Sequence, residues 1–456
     1  MKHHLRFLLL LVSAALSLAA MAYDVRVAGI YYNLDTETKT AEVTRGDVRY
    51  SGAVSIPDNI TKDEVTYTVT RIGDYTFYWC TSLVSVDIPH TVTSIGEYAF
   101  DGSYTLVELT VDGDNPVYDS RGNCNAVIES ATNKLVVGCK ATTIPNTVTC
   151  IGEGAFADCI SLEYINIPNS VTRIEANAFF DCLSLRSIYI PSSVYSMVSC
   201  FDACTSLESI VVDPENYDYD SRENCNAVIH TQTNQLVQGC KNTVIPNSVT
   251  SIGAAAFFGH STLTSITIPN SVTTIWWQAF RGCKALTSVN IPSSVKNMEW
   301  YAFAGCTSLM SATIGDGLAC LTEGTFEGCS SLKSVTIGNS VECIDEGAFR
   351  GCTSLETLKC KAGNPPVCGT DVFAEVPTED ATLYVPESSI AAYTTAEPWN
   401  AFETIKALRE EASGIAVVAS DAASETPAPV YNLNGQRVAH PGRGVYIIGG
   451  KVVLVK

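Results

Sequence analysis

Hydrophobic positions along the chain alternate between two spacings. In CTSLVSVDIP (Cys80 to Pro89), Leu83, Val86 and Ile88 are separated by polar residues at the spacing of a short strand with one buried face. Pro89 ends that ladder, because proline has no amide proton to give. In the next stretch, VTSIGEYAF (Val92 to Phe100), Val92, Ile95, Ala99 and Phe100 supply a second apolar wall, with Gly96 at a bend. The whole phrase then returns as IPNTVTCIGEGAF (Ile144 to Phe156), IPNSVTTIWWQAF (Ile268 to Phe280) and IGNSVECIDEGAF (Ile337 to Phe349). Its closing phenylalanines are mostly 23 residues apart (100−77, 179−156, 280−257, 303−280, 326−303, 349−326). A period of this size predicts a solenoid in which each unit hides its apolar face only against its neighbours.

The predicted fold is therefore a mostly β repeat array spanning residues 68–376, with 23-residue rungs stacked about 4.7–4.9 Å apart into a curved rod. Two intervals of 56 (156−100, 257−201) exceed the period by 33 and mark inserts at about 112–144 and 213–245. These are near copies, YDSRGNCNAVI and YDSRENCNAVI, and alternating apolar runs around polar turns predict a hairpin-like, wider rung. Residues 23–67 alternate apolar and polar and read as a β cap on the open N-terminal edge. Residues 377–410 read as a C-terminal cap closed by Tyr393, Trp399 and Phe402, 411–429 as a linker, and 430–456 as a small β module. Residues 1–22 have the form of a signal peptide, with Lys2 and Arg6 before an apolar run and Ala20-Met21-Ala22 as the cleavage pattern. That places the mature chain in secretion or at the cell surface, and no run is long enough for a transmembrane segment. Its loss takes the formal charge from −20 to −22, which disfavours nucleic acid as a partner.

Of the 18 cysteines, eight lie three residues after a closing phenylalanine: Cys80, Cys159, Cys182, Cys204, Cys283, Cys306, Cys329 and Cys352. Ser103 and His260 hold the same slot, so the expected role is a column of small buried thiols rather than a set of bridges. Cys124–Cys139 and Cys225–Cys240, each 15 apart, are the disulfide candidates. No metal site is expected, since the slot recurs singly and lacks paired zinc spacing, and the aspartates of the inserts lack the ordering of a calcium loop. Neither a catalytic residue set nor a cofactor is expected: the chain shows no HExxH, G-x-S-x-G or phosphate-binding glycine loop, and outside the signal peptide His90, His230, His260 and His440 are dispersed.

What remains is surface. The outward strand positions form a hydroxyl-rich lane in which Tyr164, Asn166, Ser187 and Tyr189 stand out, two large amphipathic rings on neighbouring rungs. Trp276 and Trp277 stand on another side, where other rungs carry Gly-Glu or Glu-Ala. These six are the candidate binding residues. Units such as IPNSVTSIGAAAFFGHSTLTSITIP (Ile245 to Pro269), the YDSRxNCNAVI inserts and the ATLYVP cap (Ala381 to Pro386) resemble the BspA-type leucine-rich repeats of exported, Bacteroidetes-like bacterial proteins. That resemblance implies a leucine-rich-repeat curved array and an adhesin-like surface protein contacting host matrix or other cells. Glycan capture and a structural surface-layer role without a ligand are the alternatives. The C-terminal module is similar to sorting signals on such proteins.

Overall fold

The computed structural model describes residues 23–409 and, beyond them, the strand segments 416–417, 430–431, 444–448 and 451–455. The expected signal peptide lies outside the described residues, as do most of the linker and the turns of the C-terminal module. The chain winds as a stack of rungs, and a typical rung contributes one short parallel strand, one two-residue bridge and one phenylalanine turn. In the first column, Ser288–Ile291, Ser311–Ile314, Ser334–Ile337, Thr357–Cys360, Thr382–Val385 and Thr404–Ala407 form one six-stranded parallel sheet. Residues 23 apart sit directly opposite one another, as Ser288 does Ser311 and Ser311 does Ser334. Inward residues Leu83, Val86 and Ile88 are buried as their spacing requires, while Ser85 and Asp87 face out.

Phenylalanine rings make the spine of the stack. From Phe257 to Phe373 consecutive rings lie face to face, with centroids 4.9 Å apart at Phe257/Phe280 and 6.0 Å at Phe349/Phe373. Beside them the slot cysteines are buried and free, and most have a hydrogen-bonding task. The thiols of Cys182, Cys283, Cys306 and Cys329 donate to the carbonyls of Phe156, Phe257, Phe280 and Phe303, one rung back, at 3.2–3.3 Å. Ser103 serves Phe77 in the same way. The slot thus selects a small donor, and Cys306→Ser is expected to leave the melting temperature within a few degrees of wild type. Cys306→Ala, which leaves the Phe280 carbonyl only the Cys283 amide, is expected to cost about 0.5–1.5 kcal/mol by denaturant unfolding.

Each insert is a wide rung. Tyr118–Asp119 pairs antiparallel with Val127–Glu129, which pairs antiparallel with Lys134–Val137, and that strand joins the bridge column parallel to Cys150–Ile151. The second insert repeats this through Tyr219–Asp220, Val228–His230 and Gln235–Gln238. Where a phenylalanine would stand the insert has Gly138 or Gly239, and a Cβ there would lie 2.2 Å from the Phe156 ring or 2.1 Å from the Phe257 ring. The inserts also divide the core: Val127 packs with the N-terminal cluster and Ile128 with the middle one, while Val228 and Ile229 split between the middle and C-terminal clusters.

Three expectations are corrected. Cys124, Cys139, Cys225 and Cys240 are free thiols, not two disulfides. The thiols of each expected pair point to different carbonyls, Cys124 to Ala126 and Cys139 to Asn125, and the second insert does likewise. Instead, Cys320 and Cys343 are bonded across adjacent rungs. Finally, the rungs after each insert, residues 162–167 and 263–268, bury Leu162, Ile165, Ile167, Leu263 and Ile268, with Ile266 partly covered, but form no strand. The insert segment that precedes them turns its polar groups inward on itself, with Thr142 bonding Asn125 and Cys139 and Thr143 bonding Cys124.

Candidate functional site

The lane of the first column separates the two tyrosines that the sequence brings onto neighbouring rungs. Tyr164 follows Leu162 by two positions, the place of Ser187 after Leu185, whereas Tyr189 lies two further along and opposite Val211. They occupy different tracks. Tyr164 is 66% exposed, and Tyr189 is 47% exposed with its hydroxyl donating to Asp213 Oδ2 at 2.7 Å. That hydrogen bond to a carboxylate raises the Tyr189 phenol, while Asp213 is held low by the Glu215 amide and by Tyr189. Asn166 and Ser187 are exposed beside them.

Trp276 and Trp277 belong to a larger assembly. The backbone ladder of the turn column places Trp277 one rung from Trp300, because Ala255 donates to the Trp277 carbonyl and Gln278 to that of Trp300. The two indoles stack with centroids 5.5 Å apart and planes 12° apart. Trp300 meets Tyr301 edge-on, Arg281 lies 5.4 Å over the Tyr301 ring, and the Tyr301 hydroxyl donates to Glu323 at 2.6 Å. Glu299 accepts from the Trp277 amide at 3.3 Å. Gly324, at φ 57°, is needed where the Tyr301 ring crosses the next rung, since a Cβ would come within 2.2 Å of it. Trp276 and Trp300 remain 38% and 39% exposed.

A second aromatic group occupies the same turn column near the N-terminal end. Tyr75 stacks on Tyr98 at 5.4 Å and meets Tyr78 edge-on, and Tyr78 meets Trp79, which is 45% exposed. Trp300, Tyr301 and this group were missed in the sequence, although Trp300 follows Trp277 by one period (300−277 = 23) and the arithmetic that found the rungs finds it.

Four of the insert aspartates are already engaged within the fold. Asp119 is clasped by Arg121 and Ser130, and Asp220 by Arg222, while Asp112 and Asp213 cap turns. His260 fills a cysteine slot fully buried, and burial lowers its pKa to about 4, so it is neutral and contacts Gln238 at 3.4 Å.

The chain matches the BspA type leucine rich repeat region in six copies over residues 55–120, 136–237 and 235–356, more than half its length, and it belongs to that family. Among solved structures it is similar to the pneumococcal vaccine antigen PcpA, at 19% identity and TM-score 0.55, over 86% of this chain and 99% of that one. It is also similar to a leucine rich cell surface protein from Faecalibacterium prausnitzii, at 24% identity and TM-score 0.46, covering 85% and 95% of the two chains. No curated protein matches it. The likeness to PcpA bears on the fold alone. Among the described residues no helix is long and apolar enough to cross a membrane.

Proposed function

We propose that this chain is an exported, adhesin-like binding protein that contacts an extracellular protein of the host matrix or of another cell through the turn edge of its solenoid. The observation that carries the reading is the cluster of Trp276, Trp277, Trp300 and Tyr301, held rigid by stacking and by Glu299, Glu323 and Arg281. Large aromatics with an adjacent arginine are the residues from which binding hot spots are built, and rigid ones lose little entropy when a partner covers them. A repeat stack supplies the long scaffold and leaves such a cluster free to vary, because its side chains point away from the core.

Exposed indole faces also suit the apolar faces of sugar rings, so glycan capture is the second reading, favoured by the stacked Trp277/Trp300 pair. The test is a binding screen of the purified protein against immobilised matrix proteins and, in parallel, a glycan array. Trp276→Ala/Trp300→Ala and Tyr164→Ala/Tyr189→Ala double variants serve as the comparison. Saturable binding to a matrix protein, weakened about thirtyfold or more in the tryptophan variant and unchanged in the tyrosine variant, is the expected result. Glycan hits alone transfer the assignment to the second reading. Silence on both surfaces leaves the structural surface-layer role.

A further inference from the structure

We propose that Cys320, Cys343 and Asp345 form a redox-gated site for a thiophilic divalent cation such as zinc. The two cysteines stand directly opposite each other on the parallel bridge strands Cys320–Leu321 and Cys343–Ile344. They are half-buried, unlike the slot thiols of the core, and Asp345 is exposed beside them. Among the described residues this is the group of three potential ligands whose donor atoms all converge within 4.8 Å.

The carboxylate is what distinguishes the group from a simple staple. Asp345 Oδ1 lies 3.5 Å from Cys320 Sγ, yet a disulfide sulfur carries no proton to give it. One chain position offers a direct comparison. In the Ile174 rung the residue after the bridge isoleucine is Glu175, and its carboxylate is neutralised by Lys134 at 2.5 Å and Arg173 at 3.3 Å. In the Ile344 rung the equivalent residue is Asp345, and it meets two sulfurs and no basic side chain among the described ion pairs. Glu299, at the same place after Met298, also lacks an ion pair but accepts from the Trp277 amide, so what sets Asp345 apart is the pair of sulfurs it faces. Two thiolates and one carboxylate from a fixed backbone, with water in the fourth position, are a donor set suited to zinc.

The structure shows the oxidised, closed state. Two small thiols, oxidised to their own disulfide, or one phosphine, oxidised with water to its oxide, deliver two electrons and two protons to the S–S bond, which breaks to two thiols. The cation then displaces both protons to solvent as two metal–sulfur bonds and one metal–oxygen bond form, and a small-molecule disulfide, reduced to two thiols with two protons taken from solvent, reverses the sequence by re-forming the S–S bond and expelling the ion.

The test uses the full chain, reduced with a phosphine, freed of reductant under anaerobic conditions and titrated with cadmium(II), whose bonds to thiolate give a near-ultraviolet charge-transfer band. One equivalent should bind with that band, and zinc should displace it. Cys320→Ser and Cys343→Ser, examined separately so that one survives any folding defect seen by circular dichroism, should each lose the high-affinity phase. Asp345→Asn should bind roughly tenfold or more weakly with the band retained. The oxidised chain should not bind. The proposal is overturned if the reduced chain gives no band, if either serine variant of native circular dichroism keeps it in full, or if the oxidised chain binds as well.

Discussion

Phe303→Ala is expected to cost about 3–5 kcal/mol and to unfold the solenoid unevenly. Phe303 is fully buried, with the Phe280 ring 5.0 Å on one side and the Phe326 ring 5.7 Å on the other. Its removal therefore breaks two stacking contacts and opens a cavity where the rungs have little freedom to collapse, because the parallel strands on the same rungs fix their spacing. The damage has a boundary. Each rung touches only its neighbours, so stability is close to a sum over rungs and their interfaces. The second insert, moreover, sends Val228 into the middle core and Ile229 into the C-terminal one. Amide exchange should accelerate across Ser288–Ile291, Ser311–Ile314 and Ser334–Ile337 and stay at wild-type rates in Ser82–Ile88. Denaturant unfolding should resolve into two transitions. A single transition shifted as a whole would show that the inserts couple the cores rather than divide them.

Wherever a side chain faces the core, its place was legible from the sequence, because burial is repeated with the period and each rung confirms the next. The inward triads, the phenylalanine spine and the cysteine slot were all found that way. The surface was harder to read, since no periodic packing demand acts on it. Tyr164 and Tyr189 look adjacent on the array, but a shift of two positions along the strand places them on different tracks. Trp300 stands one period after Trp277 and was legible that way, whereas Tyr301 has Gln278 and Gly324 one period to either side and carried no such signal. The disulfide candidates failed for a physical reason: equal spacing within two copies records duplication, not proximity of sulfurs. Cys320 and Cys343 are one period apart (343−320 = 23) at a position that faces the neighbouring rung, and that relation, rather than the shared spacing, carries the geometric information.

The acid side of the molecule yields the second large effect. Near the first insert, three aspartates stack along the turn column where no expectation placed chemistry. Burial pushes Asp101 up to about 8, with the Asp158 charge adding to it; burial likewise raises Asp158, and it raises Asp181 to about 6, helped by Asp158, to which it hydrogen-bonds. Tyr78 faces the same carboxyls, and Arg49, which donates to the Tyr78 carbonyl, is the basic group beside it. A raised carboxyl pKa means that the folded chain holds the proton after the unfolded chain has released it. The stability it contributes is therefore complete below about pH 4 and is lost progressively as pH rises through the folded values, a window of about pH 4 to 8. Glu208, held low by Lys241, and Asp213, held low by the Glu215 amide, act oppositely and lose their contribution only in strong acid. The wild type should consequently be most stable in mildly acidic solution, near pH 5. Asp101→Asn removes the group that must otherwise ionise and should raise stability at pH 7 by on the order of 2–4 kcal/mol, with little change at pH 4. Thermal melts of both proteins from pH 4 to pH 9 decide it. Parallel curves, or an Asn variant less stable at pH 8, would show that the Asp101 carboxylate is already ionised and compensated in the fold.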